Sequence, residues 1–166
     1  MAETTSRFAL PLLQSGQAQK EVYHNEALAQ IDLALHANVM DISVDAPPAG
    51  PAMGDCWIVG ANPTGAWAGQ AGAIAGWTSG GWRFVAPHEG MQVWCISELM
   101  WVQHLGNTWI RGRISGDALW LHGRQVVGER RPAIMSPAGG TIADTEARSV
   151  ISTILEALRA HGLIDS

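Results

Sequence analysis

Cys95 lies in the run VWCIS between His88 and His104. A thiol with imidazoles nearby is the raw material of a Cys–His hydrolase. The same residue alternates with Trp94 and Ile96 in what reads as a packed strand, and Cys56 sits in the equally apolar DCWIV. Buried free thiols are the ordinary outcome there. Glycoside hydrolysis needs two carboxylates across a cleft, roughly 5–10 Å apart. Between 55 and 128 the chain offers Asp55, Glu89, Glu98 and Asp117, at least two of them in turn-like contexts. Zinc needs clustered ligands, whereas His24, His36, His88, His104, His122 and His161 show no paired spacing. A phosphate-cradling loop needs glycines between strand and helix and, in the P-loop, a lysine; the one lysine is Lys20 and the 19 glycines fall mainly in turns. No catalytic residue, metal or cofactor is assigned. The remaining chemistry is tryptophan, with all eight indoles between Trp57 and Trp120. Core or cross-strand packing is the usual use of any one of them. Indoles left exposed stack on sugars or form interfaces. Trp67 in the Gly-rich GAWAGQAG, with Trp82, Trp101 and Trp109 beside turns or polar neighbours, are expected to be the exposed, sugar-binding ones.

The elements that must hold these residues change period along the chain. Residues 1–14 read as an extended arm whose Phe8, Leu10, Leu12 and Leu13 should pack on their own domain or a neighbouring subunit. Residues 15–40 read as helix, capped by Ser15, with Leu28, Ile31, Leu35 and Val39 on one face. Asn25 offers a second cap at which that helix could restart. The Pro/Gly-rich stretch 45–55 is irregular. From 56 the pattern is that of strands, and three hairpins can be written. Trp77 faces Trp82 across the turn 78–81. Trp94 faces Trp101 across a two-residue Ser97-Glu98 loop. His104 faces Trp109 across Gly106-Asn107, read as a type II′ turn. A further hairpin pairs 119–121 with 125–127 around His122-Gly123, and 128–143 is irregular. The last element is an amphipathic helix capped by Asp144, with Glu146 in its first turn and a stripe of Ala147, Val150, Ile151, Ile154, Leu155 and Leu158. Gly162 supplies a left-handed stop that lets Leu163 fold back on Leu158.

The fold class expected is therefore α+β: an N-terminal helix, a central Trp-rich antiparallel module of hairpins forming a small barrel or sandwich, and a C-terminal amphipathic helix. Its segments are 1–44, 55–128 and 129–166. The terminal helix needs a partner surface, since a short helix alone is marginal. Oligomer or assembly contacts are expected at Phe8, Leu10, Leu12, Leu13, Val150, Ile151, Ile154, Leu155 and Leu158.

Composition narrows the partners. The 166 residues are 47% hydrophobic and 15% charged, with a net charge of −5. That is a globular composition, and its acidity argues against nucleic acid and against an anionic membrane surface. The seven basic residues of 111–166 are all arginine, suited to carboxylate or phosphate pairing, although surface salt bridges are their commonest use. An acid and a proline stand where a signal peptide needs a basic start and an apolar run, and no apolar window reaches ~18 residues. Synthesis in the bacterial cytoplasm without membrane insertion is expected.

Several motifs together form a recognisable set: GQAQK at 16–20, HNEA at 24–27, GD-x-W-I-V at 54–59, GAWAG at 65–69 and GW-x-x-GGW-x-F-x-x-P-x-x-G at 76–90. They resemble a domain of unknown function from alphaproteobacterial prophages and gene transfer agents. The tail PAGGTIADTEARSVISTILEALRAHGLI resembles a C-terminal segment of the same particle proteins. The resemblance implies a homo-oligomeric structural protein on the outside of a virion-like particle: a head spike, a spike base or a tail fibre. Its partners would be capsid, spike or fibre chains and host capsular polysaccharide, and it carries over no catalytic residue. A stand-alone carbohydrate-binding module and a polysaccharide depolymerase are the competing expectations.

Overall fold

A computed structural model describes residues 3–14, 16, 20–141 and 144–165. The cap expected of Ser15 and residues 17–19 of the GQAQK motif lie outside the described residues. The chain divides into two compact units, 1–113 and 114–166, so the boundary falls inside the segment expected to be one β module. The class is α+β, with a helix towards each end and sheets between.

In the first unit the arm leads into helix α1, Lys20–Ala34. Asn25 starts no second helix; its side chain clasps the arm, accepting from Leu13 N at 2.9 Å and donating to Leu13 O at 3.0 Å. The helix ends well before residue 40. His36 turns the chain with φ +43°, and two short strands follow, β1 (Asn38–Val39) and β2 (Asp41–Val44). The expected stripe fails with it. Ile31 and Leu35 are exposed, Val39 is buried as a strand residue, and Leu33 faces the core instead. Helical spacing through Val39 was a coincidence of apolar positions; tertiary strand pairing outweighs so weak a local preference.

Two mixed four-stranded sheets follow, rather than a purely antiparallel module. The remaining strands of the unit are β3 (Cys56–Val59), β4 (Ile74–Thr78), β5 (Gly81–Val85), β6 (Gln92–Cys95), β7 (Met100–Leu105) and β8 (Thr108–Arg111). One sheet runs β1-β6-β7-β8 and the other β2-β3-β4-β5. The edge strands β1 and β2 are the parallel ones, joining β6 and β3. Every hairpin register expected from alternation holds: Trp77 opposite Trp82, Trp94 opposite Trp101, His104 opposite Trp109. Two turns differ in detail. Gly106 and Asn107 both have positive φ, +56° and +65°, which makes the turn type I′ rather than II′. The β6–β7 connection spans 96–99 without strand pairing, not just Ser97-Glu98, and Leu99 has φ +52°.

Both sheets share one core. Val39, Val93, Cys95 and Val102 meet Ile42, Cys56, Ile58 and Ile74 there, with Leu33 and Ala37. The opposite face of the second sheet is also covered. Trp57, Val59 and Ala75 pack with Trp67, which a short 3-10 turn over Gly65–Trp67 folds back onto them. Strand β3 is thus buried on both faces, which explains its uninterrupted apolar run CWIV. Gly76 lets α1 approach closely, since a Cβ there would lie 2.4 Å from Leu33 Cδ2.

The second unit holds the hairpin β9–β10, Leu119–Leu121 and Arg124–Val127, and helix α2, Thr145–Ala160. Asp144 caps α2 as expected, accepting from Ala147 N at 2.8 Å. The helix ends in a Schellman motif: Gly162 has φ +68°, Gly162 N donates to Arg159 O and Leu163 N to Leu158 O. The arginines bond mainly to backbone. Arg130 donates to Gly162 O, Arg159 to Ile134 O and Arg148 to Gly139 O, strapping 130–139 to the helix and its end. Within this unit only Leu155 and Ile164 are buried among the described hydrophobics.

Candidate functional site

The carboxylates considered for catalysis have local duties. Asp55 accepts from Ala52 N at 2.9 Å, within its own turn. Glu89 accepts from Gly106 N at 3.0 Å and braces the β7–β8 turn. Glu98 pairs with Arg111 Nε at 3.1 Å, and Asp117 lies in the second unit. Both cysteines are free and buried. Burial, partly offset by Arg7, pushes the Cys56 thiol up to about 11. Cys95 Sγ lies 3.3 Å from Ser97 Oγ, and neither His88 nor His104 is its hydrogen-bond partner among the described residues.

One grouping had no signature in the sequence. Ligand atoms of Asp41, Cys95 and Glu98 lie within 4.8 Å of one another. Ser97 Oγ donates to Asp41 Oδ1 at 3.0 Å and Arg111 faces Glu98, so a hydroxyl and a guanidinium already serve both carboxylates. Asp41 stands on β2, directly after β1, whose parallel pairing with β6 brings it beside Cys95 and Glu98, and nothing local in the sequence marks that pairing.

The tryptophans sort by face. Trp67, expected to be exposed, is fully buried; its ring centroid lies 5.1 Å from that of Trp82 and 6.2 Å from that of Trp57. A Gly-rich surround suggested a solvent loop, yet glycine here serves to fold the indole inward, with Gly65 at φ +58°. Trp82 is half-buried in the same cluster, edge-on to Trp57, Trp67 and Trp77, and so is chiefly a packing residue. Trp101 is half exposed on the outer face of the first sheet and meets Trp94 edge-to-face at 5.4 Å. Trp120, not singled out from sequence, is 60% exposed on β9 between two exposed leucines. Its three-residue apolar run with no matching core was the available signal.

Trp109 belongs to a cleft. Antiparallel pairing puts His104 and Trp109 side by side and Arg111 two residues on, all on the inward face of their sheet. Across from them lie Ser43 of β2 and Gly60 and Gly72 beside β3 and β4, around a cavity of about 410 Å³. Trp109 Nε1 donates to Gly72 O at 2.8 Å, which fixes the ring. His104 packs edge-on against it at 5.2 Å and is 7% exposed. His104 Nδ1 is buried with no hydrogen-bond partner. Trp67 Nε1 shares that condition inside the aromatic cluster; His104 differs in lining a cleft. A second cavity, about 260 Å³, lies between arm, α1 and the β4–β5 hairpin. Its polar groups are largely paired with each other, Arg83 with Glu26 at 2.7 Å and Asp32 with the arm, so it reads as a joint.

The expected assembly residues divide as well. In the arm Phe8 is exposed, while Leu10, Leu12 and Leu13 are half-buried, because the arm packs on its own helix. In α2, Val150, Ile151 and Ile154 are exposed, Leu158 is half-buried and Leu155 is buried. Among the described residues no helix is long and apolar enough to cross a membrane.

No curated protein matches the chain. Residues 24–110, just over half of it, match the family described as protein of unknown function, DUF2793. The match runs from within α1 almost to the end of β8, so it takes in nearly all of both sheets and most of the cleft walls. This chain belongs to the DUF2793 family.

Proposed function

We propose that this protein is a homo-oligomeric structural component of a phage-like particle or gene transfer agent, a head spike, spike base or fibre, which assists attachment to host surface polysaccharide. The observation that carries the assembly half is the apolar surface of residues 114–166. Leu119, Trp120, Leu121, Val126 and Val127 of the hairpin and Val150, Ile151 and Ile154 of α2 all stand exposed. Large apolar side chains left exposed in this number on one small unit mark an interaction surface. Copies of the same chain are the occupants that fit, since one stripe repeated on each copy buries itself by symmetry. The particle setting comes from the sequence resemblance. The protein is made in the cytoplasm, acts on the particle's exterior and performs no catalysis.

Light scattering on the full chain tests the assembly half. A defined oligomer is expected, and Val150→Asp with Ile154→Asp should reduce it to monomer while the melting of the first unit is unchanged. A wild-type monomer at all concentrations refutes the reading. Removing the gene from a producing strain should give particles without their projections and with weaker adsorption to capsulated cells.

A stand-alone carbohydrate-binding module is the second reading, favoured by the exposed Trp101, set edge-to-face on the half-buried Trp94 of the same sheet face. Saccharide binding by a strict monomer would select it.

A further inference from the structure

We infer that the His104–Trp109–Arg111 cleft binds an acidic sugar residue, a hexuronate within a polysaccharide. The inference rests on the proposed attachment role and names the site and sugar class that would serve it. Four observations carry it. First, His104 is 7% exposed and its Nδ1 has no hydrogen-bond partner, although the ring lines the cleft. Native structures leave few buried polar atoms unpaired, and an unpaired one on a ring that lines a cavity marks a place for a polar ligand group. Second, Arg111 spends Nε on Glu98 at 3.1 Å and reaches Ser43 Oγ with Nη2 at 3.5 Å. A guanidinium has five N–H donors in a fork matched to carboxylate, so donors remain for a ligand carboxylate while Glu98 holds the group in place.

Third, the indole of Trp109 is immobilised by Gly72 O and by the His104 ring, which makes it a rigid apolar wall suited to the C–H face of a pyranose. Ser43, Asn107 and Thr108 add hydroxyl and amide groups for sugar hydroxyls. Fourth, the cavity of about 410 Å³ lies inside the roughly 300–1,000 Å³ range of small-ligand pockets. One arginine in a chain of net charge −5 suits a single carboxylate per ring and not a dense polyanion such as nucleic acid.

The test is calorimetric titration of the full chain with tetragalacturonate, a hyaluronan tetrasaccharide and neutral galactotetraose. At least one acidic saccharide should bind saturably, and galactotetraose about tenfold or more weaker, the scale of a lost charge-assisted hydrogen bond. Arg111→Ala and His104→Phe should each weaken acidic-saccharide binding by about tenfold or more, with Trp101→Ala unchanged. Arg111 is on an edge strand with a side chain about half exposed, so its variant remains decisive if the buried His104→Phe folds poorly. Equal binding of acidic and neutral saccharides, or wild-type binding by Arg111→Ala, overturns the assignment. Loss on Trp101→Ala alone overturns the cleft and leaves attachment standing on the outer sheet face. Absence of any saccharide binding with the oligomer intact overturns the cleft and leaves only the assembly role.

Discussion

Asp32 takes a carboxylate to 2% exposure and is compensated entirely by the arm. Thr5 Oγ1 and Phe8 N donate to one oxygen at 2.7 and 2.8 Å, and Arg7 N to the other at 2.9 Å. The Arg7 guanidinium then reaches the carbonyls of Asp32, Leu33 and His36, satisfying the end of α1. Asp32→Ala leaves those donors unpaired and should cost about 3 kcal/mol in urea unfolding, with faster proteolysis within the arm. Cys56 makes a second prediction. Its pKa rises from 9.0 unfolded to about 11 folded, so the neutral thiol favours the native state. That contribution is complete below about pH 9 and is lost as pH rises towards 11. At about pH 8 a thiol-reactive disulfide should label Cys56 only on unfolding; fast native-state labelling would contradict the burial.

At the scale of elements, pairs of indoles hold the hairpins. The pairings of Trp77 with Trp82 and of Trp94 with Trp101 follow from turn length and alternation alone, and ring centroids of 5.0 and 5.4 Å put both in edge-to-face contact. The contact of α1 with the second sheet depends on a missing side chain. Gly76→Ala would set a methyl 2.4 Å from Leu33 Cδ2 and should destabilise by about 1–3 kcal/mol. Leu33→Ala in the same chain should recover part of that loss beyond additivity, measured by a double-mutant cycle. In α2, Asp144→Ala removes the bond from Ala147 N and should cost about 1 kcal/mol of helix stability, read by circular dichroism.

The whole molecule joins a well-packed body at 1–113 to a segment at 114–166 with little core of its own. Stability of the second unit should therefore depend on protein concentration while that of the first does not, as linkage between folding and association requires; separate thermal transitions would display this. What the sequence by itself determined lies within short stretches: three hairpin registers, the Asp144 cap, the Schellman end at Gly162, and the burial of both cysteines. Each depends on residues a few positions apart, where period and turn chemistry decide. Only the tertiary structure decided where α1 stops, that β1 and β2 pair in parallel, that Trp67 faces inward, and that Asp41 meets Cys95 and Glu98. It also brought Ser43 opposite His104, Trp109 and Arg111. Parallel edge pairing and packing between sheets join segments far apart in the chain. Such contacts depend on shape and on what else needs covering, and they leave no local period in the residues that make them.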